Sequence, residues 1–300
     1  MKIKEAIKDF LVEAEIKRFS KTTQDNYRNG VNKFALFLKE ELDITMIEDV
    51  NASTVKQYTS YLTKKGLKGT TINSYLKIIK VFLQHCYNEE FSSFNPKRNG
   101  FKWVKEEKPL IRAFTVQDVR SMLANCNGTK FLDVRDKAII TVMVETGIRA
   151  FEVCGITKED IHEDYIVIKG KGQKIRSVPI TPMMKKEMMR YERIRNDYFV
   201  DRPHERYYFL SHRGRQLSNV ALTRNVKKRG SHITGVRVSC HTLRHFFAQQ
   251  SLKNGMSLYS LSRLLGHENV GITQIYLDSL QDADIVKINK NNSVLMNMEF

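Results

Sequence analysis

Acidic side chains are the first shortage: the 300-residue chain holds 33 Asp and Glu against 50 Lys and Arg, a formal net charge of +17. Between Val50 and Asn88 there is no acidic residue at all, although Lys56, Lys64, Lys65, Lys68, Lys77 and Lys80 fall there. Such an excess points to a polyanionic partner, most simply nucleic acid. Long apolar runs are missing as well, and none approaches the roughly 20 residues that span a bilayer. Met1-Lys2-Ile3-Lys4-Glu5 lacks the apolar stretch of a signal peptide. No basic amphipathic stretch backed by Trp or Phe suits a membrane surface. A cytoplasmic location and no membrane partner are expected. Cysteine is scarce too: Cys86, Cys126, Cys154 and Cys240 are widely spaced with no Cys-x-x-Cys pair, which argues against zinc or a disulfide framework. Gly170-Lys171-Gly172 is followed by no Gly-Lys-Ser/Thr, and no carboxylate cluster stands out, so neither a phosphate loop, a metal nor a cofactor is expected.

What is present is helical periodicity, with a hydrophobic fraction of 41% that is enough for real cores. Ile7, Phe10, Leu11 and Ala14 recur at helical spacing, and Tyr27, Val31, Phe34, Phe37 and Leu38 follow behind a cap at Thr22 or Thr23. Ser53 starts a third helix and Thr70 to Tyr87 forms a fourth. The pattern breaks near Asn95-Pro96 into a charged stretch that reads as a linker. Beyond it, Thr115 caps a helix from Val116 to Leu123, and an apolar helix from Asp133 to Thr146 stops at Gly147. Tyr165–Lys169 and Ile175–Ile180 alternate as the strands of a hairpin across the Gly-rich link. A helix from Pro182 to Tyr198, a strand-like Tyr207–Leu210 and a basic helix from Leu217 to Arg229 complete the series. The expected fold class is mainly α with a small β-sheet (α+β), in two domains.

The reactive groups concentrate between Cys240 and Asp278. If Cys240 to Lys253 is a helix, His241 and Arg244 share a face. Gly255 suits its end and Ser257 the cap of the next helix, whose Leu258, Leu261, Leu264 and Leu265 bury a stripe before Gly266. His267 then leaves the break, and Tyr276 lies one short helix further on. Two imidazoles, a guanidinium and a phenol suit a phosphodiester: Arg offers a fork of donors, His moves protons near neutrality, and a phenol can attack phosphorus. Upstream, Gly147 allows a tight turn that places Arg149 at a helix start, with Glu152 one turn on.

The order of these residues resembles the tyrosine recombinase (phage integrase) family. Its catalytic domains carry a Thr-Gly-Leu-Arg-x-x-Glu box, here Thr146-Gly147-Ile148-Arg149-Ala150-Phe151-Glu152. His-x-x-Arg (His241, Arg244), Leu-Gly-His (Leu265-Gly266-His267) and Tyr276 follow in order. The resemblance implies a helical core-binding domain over residues 1–101, a linker over 102–111, a catalytic domain over 112–280, and a tail over 281–300 that either folds back or is exchanged between protomers about a hinge at Asn291-Asn292. It implies Tyr276 as nucleophile, Arg149 and Arg244 on the non-bridging oxygens, His267 as a further donor, Lys171 as general acid, His241 in proton exchange and Glu152 as support. Lys68, Thr70, Thr71, Asn73 and Lys77 are expected on DNA, with Lys174 and Arg176 on backbone phosphates. His245 is expected to pack beside the motif or to stand behind its reacting groups.

The expected partner is double-stranded DNA with paired core half-sites, bound by a homo-tetramer. The expected outcome is integration and excision, resolution or inversion through a 3′-phosphotyrosyl intermediate. Leu277-Asp278 departs from the family's usual residues after the nucleophile. No additional arm-binding domain is expected, and the resemblance then favours a recombinase of Xer-like size. A type IB topoisomerase that relaxes DNA, or a DNA-binding regulator without catalysis, would share much of this pattern.

Overall fold

A computed structural model of the chain describes residues 1–98, 101–106, 112–170, 172, 174–277, 280 and 284–286. Lys171 and nearly all of the tail expected over 281–300, including the proposed hinge at Asn291-Asn292, lie outside the described residues. The chain divides into two compact units, Met1–Pro109 and Leu110–Phe300. It is predominantly helical, with one two-stranded sheet among the described residues.

The first unit is built from α1 (Ile3–Ile16), α2 (Lys21–Leu42), α3 (Ala52–Lys64) and α4 (Gly69–Asn88). Their apolar stripes close on Phe10, Phe34, Leu38, Tyr58, Leu76, Ile79 and Phe82, all buried. Two helices begin earlier than their Ser/Thr content suggests. Ser20 caps α2 by accepting from the Thr23 N–H at 3.3 Å, and Asn51 caps α3 by accepting from Ser53 and Thr54 at 2.9 and 3.2 Å. In each case the capping oxygen must precede the N–H it satisfies by two or three residues, so Thr23 and Ser53 lie inside the first turn.

The stretch read as a linker begins as a strap across α4. Asn73 accepts from the Val104 N–H at 2.9 Å and donates to the Val104 carbonyl at 2.8 Å and to Glu106 at 2.6 Å. Gly69 leaves room for the Lys105 carbonyl, which a Cβ would approach to 2.7 Å. This corrects the expectation that Asn73 contacts DNA: it is 4% exposed and its amide is engaged by backbone. Lys68, Thr70, Thr71 and Lys77 around it are exposed.

In the second unit α5 (Val116–Ala124) opens behind a reciprocal cap between Thr115 and Asp118, and α6 (Phe131–Thr146) runs through the centre. Ala138, Ile139, Ile140, Val142 and Met143 are buried around its circumference, as befits a helix enclosed by neighbours. There follow α7 (Ala150–Gly155), the antiparallel strands β1 (Tyr165–Lys169) and β2 (Ile175–Pro179), α8 (Pro182–Tyr198), α9 (Asn219–Arg229), α10 (Cys240–Lys253), α11 (Leu258–Leu265) and α12 (Gly271–Gln274). Residue Tyr165 pairs with Pro179 and Lys169 with Ile175. α6 packs against α8 and α10. All four cysteines are buried and free.

The strand expected over Tyr207–Leu210 does not form; only isolated bridges, Thr157 to Tyr207 and Leu210 to Gln216, occur there. Tyr208, Phe209 and Leu210 are all buried, which an alternating strand face does not allow. Side chains of α8 hold this backbone instead: Tyr191 donates to the Tyr208 carbonyl at 3.0 Å and accepts from Leu210 at 3.2 Å, and Arg195 donates to the Tyr207 carbonyl at 3.3 Å.

Gly147 ends α6 with φ of 63°. A Cβ there would lie 2.3 Å from the Phe247 ring and 2.8 Å from Leu265. Gly147→Ala combines left-handed strain with overpacking and is expected to cost about 2–4 kcal/mol, seen as a lower urea midpoint at unchanged slope. An unchanged midpoint would show that α6, α10 and α11 are not wedged together at this residue.

Candidate active site: three guanidinium groups at one helix end

α11 stops at Gly266, in the left-handed conformation at φ 66°, and its last carbonyls lack intrahelical partners. Three arginines take them. Arg176 donates through Nε to the Leu264 carbonyl at 2.7 Å, Arg244 through Nη2 to Leu265 at 2.9 Å, and Arg149 through Nη1 to that same Leu265 carbonyl at 3.5 Å. The negative end of the helix dipole favours cations here. Arg244 is 5% exposed and is further held by the Gly147 carbonyl, 2.7 Å from Nη1. Burial, then the nearby Arg149 charge, lowers the Arg244 pKa to about 10, so it stays charged at neutral pH.

Glu152 offsets this concentration of charge. Its buried carboxylate accepts the Arg149 backbone N–H at 2.7 Å, both terminal nitrogens of Arg176 at 2.9 Å, and Arg149 Nη1 at 3.3 Å. Burial opposes ionisation, but the Arg176 hydrogen bonds, the Arg149 N–H and both positive charges outweigh it and hold the carboxyl below the usual range. A buried charge is tolerable only when paired in this way.

His267 leaves the chain just past Gly266. Its Nε2 lies 2.7 Å from Arg244 Nη2 and its Nδ1 2.8 Å from the Thr273 hydroxyl. A guanidinium only donates, so Nε2 is the bare nitrogen and Nδ1 carries the proton toward Thr273. Burial, then the charges of Arg244, Arg149 and Arg176, pushes the His267 pKa down to about 4, which keeps the ring neutral. Tyr276 follows α12 and is 3% exposed, packed with Phe247, Leu252, Leu261 and Leu265. Its hydroxyl lies 2.9 Å from His245 Nδ1. Burial raises its pKa while Arg244 and Arg149 pull it down, with a net rise, so the phenol is protonated at rest. His241 stands exposed one turn from Arg244, its pKa lowered by desolvation and then by Arg244, Arg149 and Arg237.

Residues 112–282 match the Phage integrase family, and residues 3–102 match a phage integrase SAM-like domain. The chain belongs to the phage integrase family. It is similar to the tyrosine recombinase XerC of Thermodesulfovibrio yellowstonii, with 33% identity over 257 residues and 83% of each chain covered. Its fold is similar to that of XerH recombinase in a post-cleavage complex with its difH substrate (TM-score 0.70, 17% identity, 92% of this chain and 80% of that one). It is also similar to lambda integrase as a tetramer on a Holliday junction (TM-score 0.72, 14% identity, 92% and 77%). This phage integrase is a tyrosine recombinase, an enzyme of site-specific DNA recombination. The comparisons give no support to DNA relaxation or to a silent regulator.

Within this family member, Arg149, Glu152, Arg244 and His267 form one hydrogen-bonded group, and Tyr276 reaches it through packing and charge. Lys174 is exposed and pairs with Glu268 at 2.5 Å. Arg176 is corrected: expected on a DNA phosphate, it is half-buried with its donors on Glu152 and Leu264, because β2 turns it toward α7 and α11. His245, expected to pack or to stand behind the reacting groups, touches the phenol. The available signal was its place four residues after His241, on the same helical face. No helix among the described residues is long and apolar enough to cross a membrane.

The unfolded imidazole of His267 titrates near 6.5, whereas the folded one titrates near 4. The unfolded chain therefore binds the extra proton, and stability falls as the pH drops from about 6.5 to about 4. His241 and His245 act in the same direction, and Glu152 adds a loss as its lowered value is passed. His267→Asn should flatten the pH dependence of the urea midpoint in that window. A slope identical to that of the parent would mean the ring is not held neutral.

Proposed function

We propose that Tyr276 is the nucleophile of a DNA strand exchange that runs through a 3′-phosphotyrosyl intermediate. One observation carries the reading: the Arg149 and Arg244 guanidinium groups converge on the Leu265 carbonyl, with His267 bonded to Arg244 and the Tyr276 phenol packed behind. A phosphate entering this site offers Arg244 an anion in place of neutral acceptors, and Arg149 a second anion beside the Glu152 carboxylate. The Tyr276 oxygen bonds to phosphorus and its proton leaves toward His245, already 2.9 Å away, with His241 on the same face for exchange. The bond to the 5′ oxygen breaks, and Lys171 supplies that oxygen's proton. Once Arg244 turns to the phosphate, Thr273 can donate to His267 Nδ1, and a proton on Nε2 then makes His267 the further donor. Removing one such donor typically costs on the order of 10²–10³-fold in rate.

The covalent bond to Tyr276 keeps the energy of the broken linkage, so a second 5′-hydroxyl can reverse the step without ATP or metal. Lys68, Thr70, Thr71 and Lys77, exposed around the start of α4, and Lys174 on the hairpin are assigned to the DNA backbone. Paired half-sites and a tetramer are proposed as the working assembly; the DNA complexes of the two recombinases with this fold support that reading.

Tyr276→Phe is expected to bind its site but form no covalent adduct on a nicked suicide duplex, measured by denaturing electrophoresis. A normal adduct would place the nucleophile elsewhere. Lys171→Ala should cleave slowly, yet recover when the leaving 5′ oxygen is replaced by sulfur, which needs no general acid. Failure of that rescue with the parent enzyme active on both substrates would remove Lys171 from the role.

A further inference from the structure

Arg176 is engaged too completely to act as a surface cation. Its Nη1 and Nη2 each meet a Glu152 oxygen at 2.9 Å, and its Nε meets the Leu264 carbonyl at 2.7 Å. Gly266 allows the chain to close over this pair: a Cβ there would lie 3.0 Å from Arg176 Nη1 and 3.1 Å from its Cζ. The hairpin is closed just above, where the Gly170 N–H donates to the Lys174 carbonyl at 2.7 Å. One guanidinium therefore joins three segments: the base of the hairpin whose link contains Lys171, the carboxylate that holds Arg149, and the carbonyl next to the one that holds Arg244.

We propose that Arg176 is a positioning residue that fixes the base of the β1–β2 hairpin, whose link carries the proposed general acid, to the carboxylate and the carbonyl end that hold the arginine pair. It acts through Glu152 and the α11 carbonyl end without touching DNA. The planar fork matters: a guanidinium can span a carboxylate and a carbonyl at once, whereas a lysine ammonium is a point charge on a flexible stem. Loss of the fork leaves Arg149 and Arg244 in place but frees the hairpin to shift. A displacement of about 1 Å at a reacting group can cost on the order of 10²-fold in rate.

This rests on the phosphotyrosyl reading, and the test separates the two. Single-turnover cleavage of a nicked suicide duplex is measured with an ordinary phosphate and with sulfur as the leaving atom, for the parent, Arg176→Met and Arg176→Lys. Site affinity is measured against salt. Absence of any Tyr276 adduct with the parent would sink the reading itself. With the parent active, Arg176→Met is expected to cleave the ordinary substrate about 10²-fold more slowly and the sulfur substrate at close to the parent rate. The salt dependence of its affinity should keep the parent slope, because no phosphate contact is lost. Arg176→Lys, which retains a cation beside Glu152, should fold and show the same pattern at smaller amplitude; it carries the test alone if Arg176→Met does not fold. Three results overturn the proposal: parent-like cleavage of the ordinary substrate by the folded variant, a rate loss that sulfur does not restore, or a salt slope reduced by about one, the signature of a lost phosphate contact.

Discussion

Three positive charges are held within one small volume, and what holds them is the end of a helix together with one buried carboxylate. The Leu264 and Leu265 carbonyls take Arg176, Arg244 and Arg149, while Glu152 accepts from Arg149 and Arg176. Repulsion among three guanidinium groups in a poorly solvated site would scatter them without both partners. The elements that supply these partners are otherwise distant along the chain, and Gly147 and Gly266 bring them together by allowing turns that a side chain would block.

The same arrangement gives the resting enzyme its character. Arg244 is bonded to two carbonyls and an imidazole, His267 is neutral, and the phenol is protonated and packed in an apolar cluster. The acceptors around Arg244 are neutral partners that an anion can displace. On the proposed reading, the charge of a phosphodiester makes the difference between a quiet site and a reactive one.

Much of this was legible in residue order. Cys240 to Lys253 and Pro182 to Tyr198 were readable as helices from periodicity and caps, and the order of Arg149, His241, Arg244, His267 and Tyr276 singled out the residues of the candidate site. What escaped was the direction in which neighbouring polar side chains turn. Arg176 and Asn73 look like surface donors in a basic sequence, yet one faces a buried carboxylate from α7 and the other a backbone strap 31 residues away. Such pairings depend on tertiary contacts across the chain, and no local pattern encodes them. The strand foreseen at Tyr207 failed for a related reason: α8 supplies side-chain partners for its backbone before a second strand can.

The carbonyl anchorage of the arginines has one more consequence. Main-chain oxygens are common to every amino acid, so residues 264 and 265 can be exchanged for other apolar types without removing the acceptors on which the site is assembled. A scan that trims side chains along α11 would register only packing losses and pass over its electrostatic role. That role belongs to the path of the backbone, and it would be exposed by replacing an amide with an ester, which weakens the carbonyl as an acceptor while leaving every side chain intact.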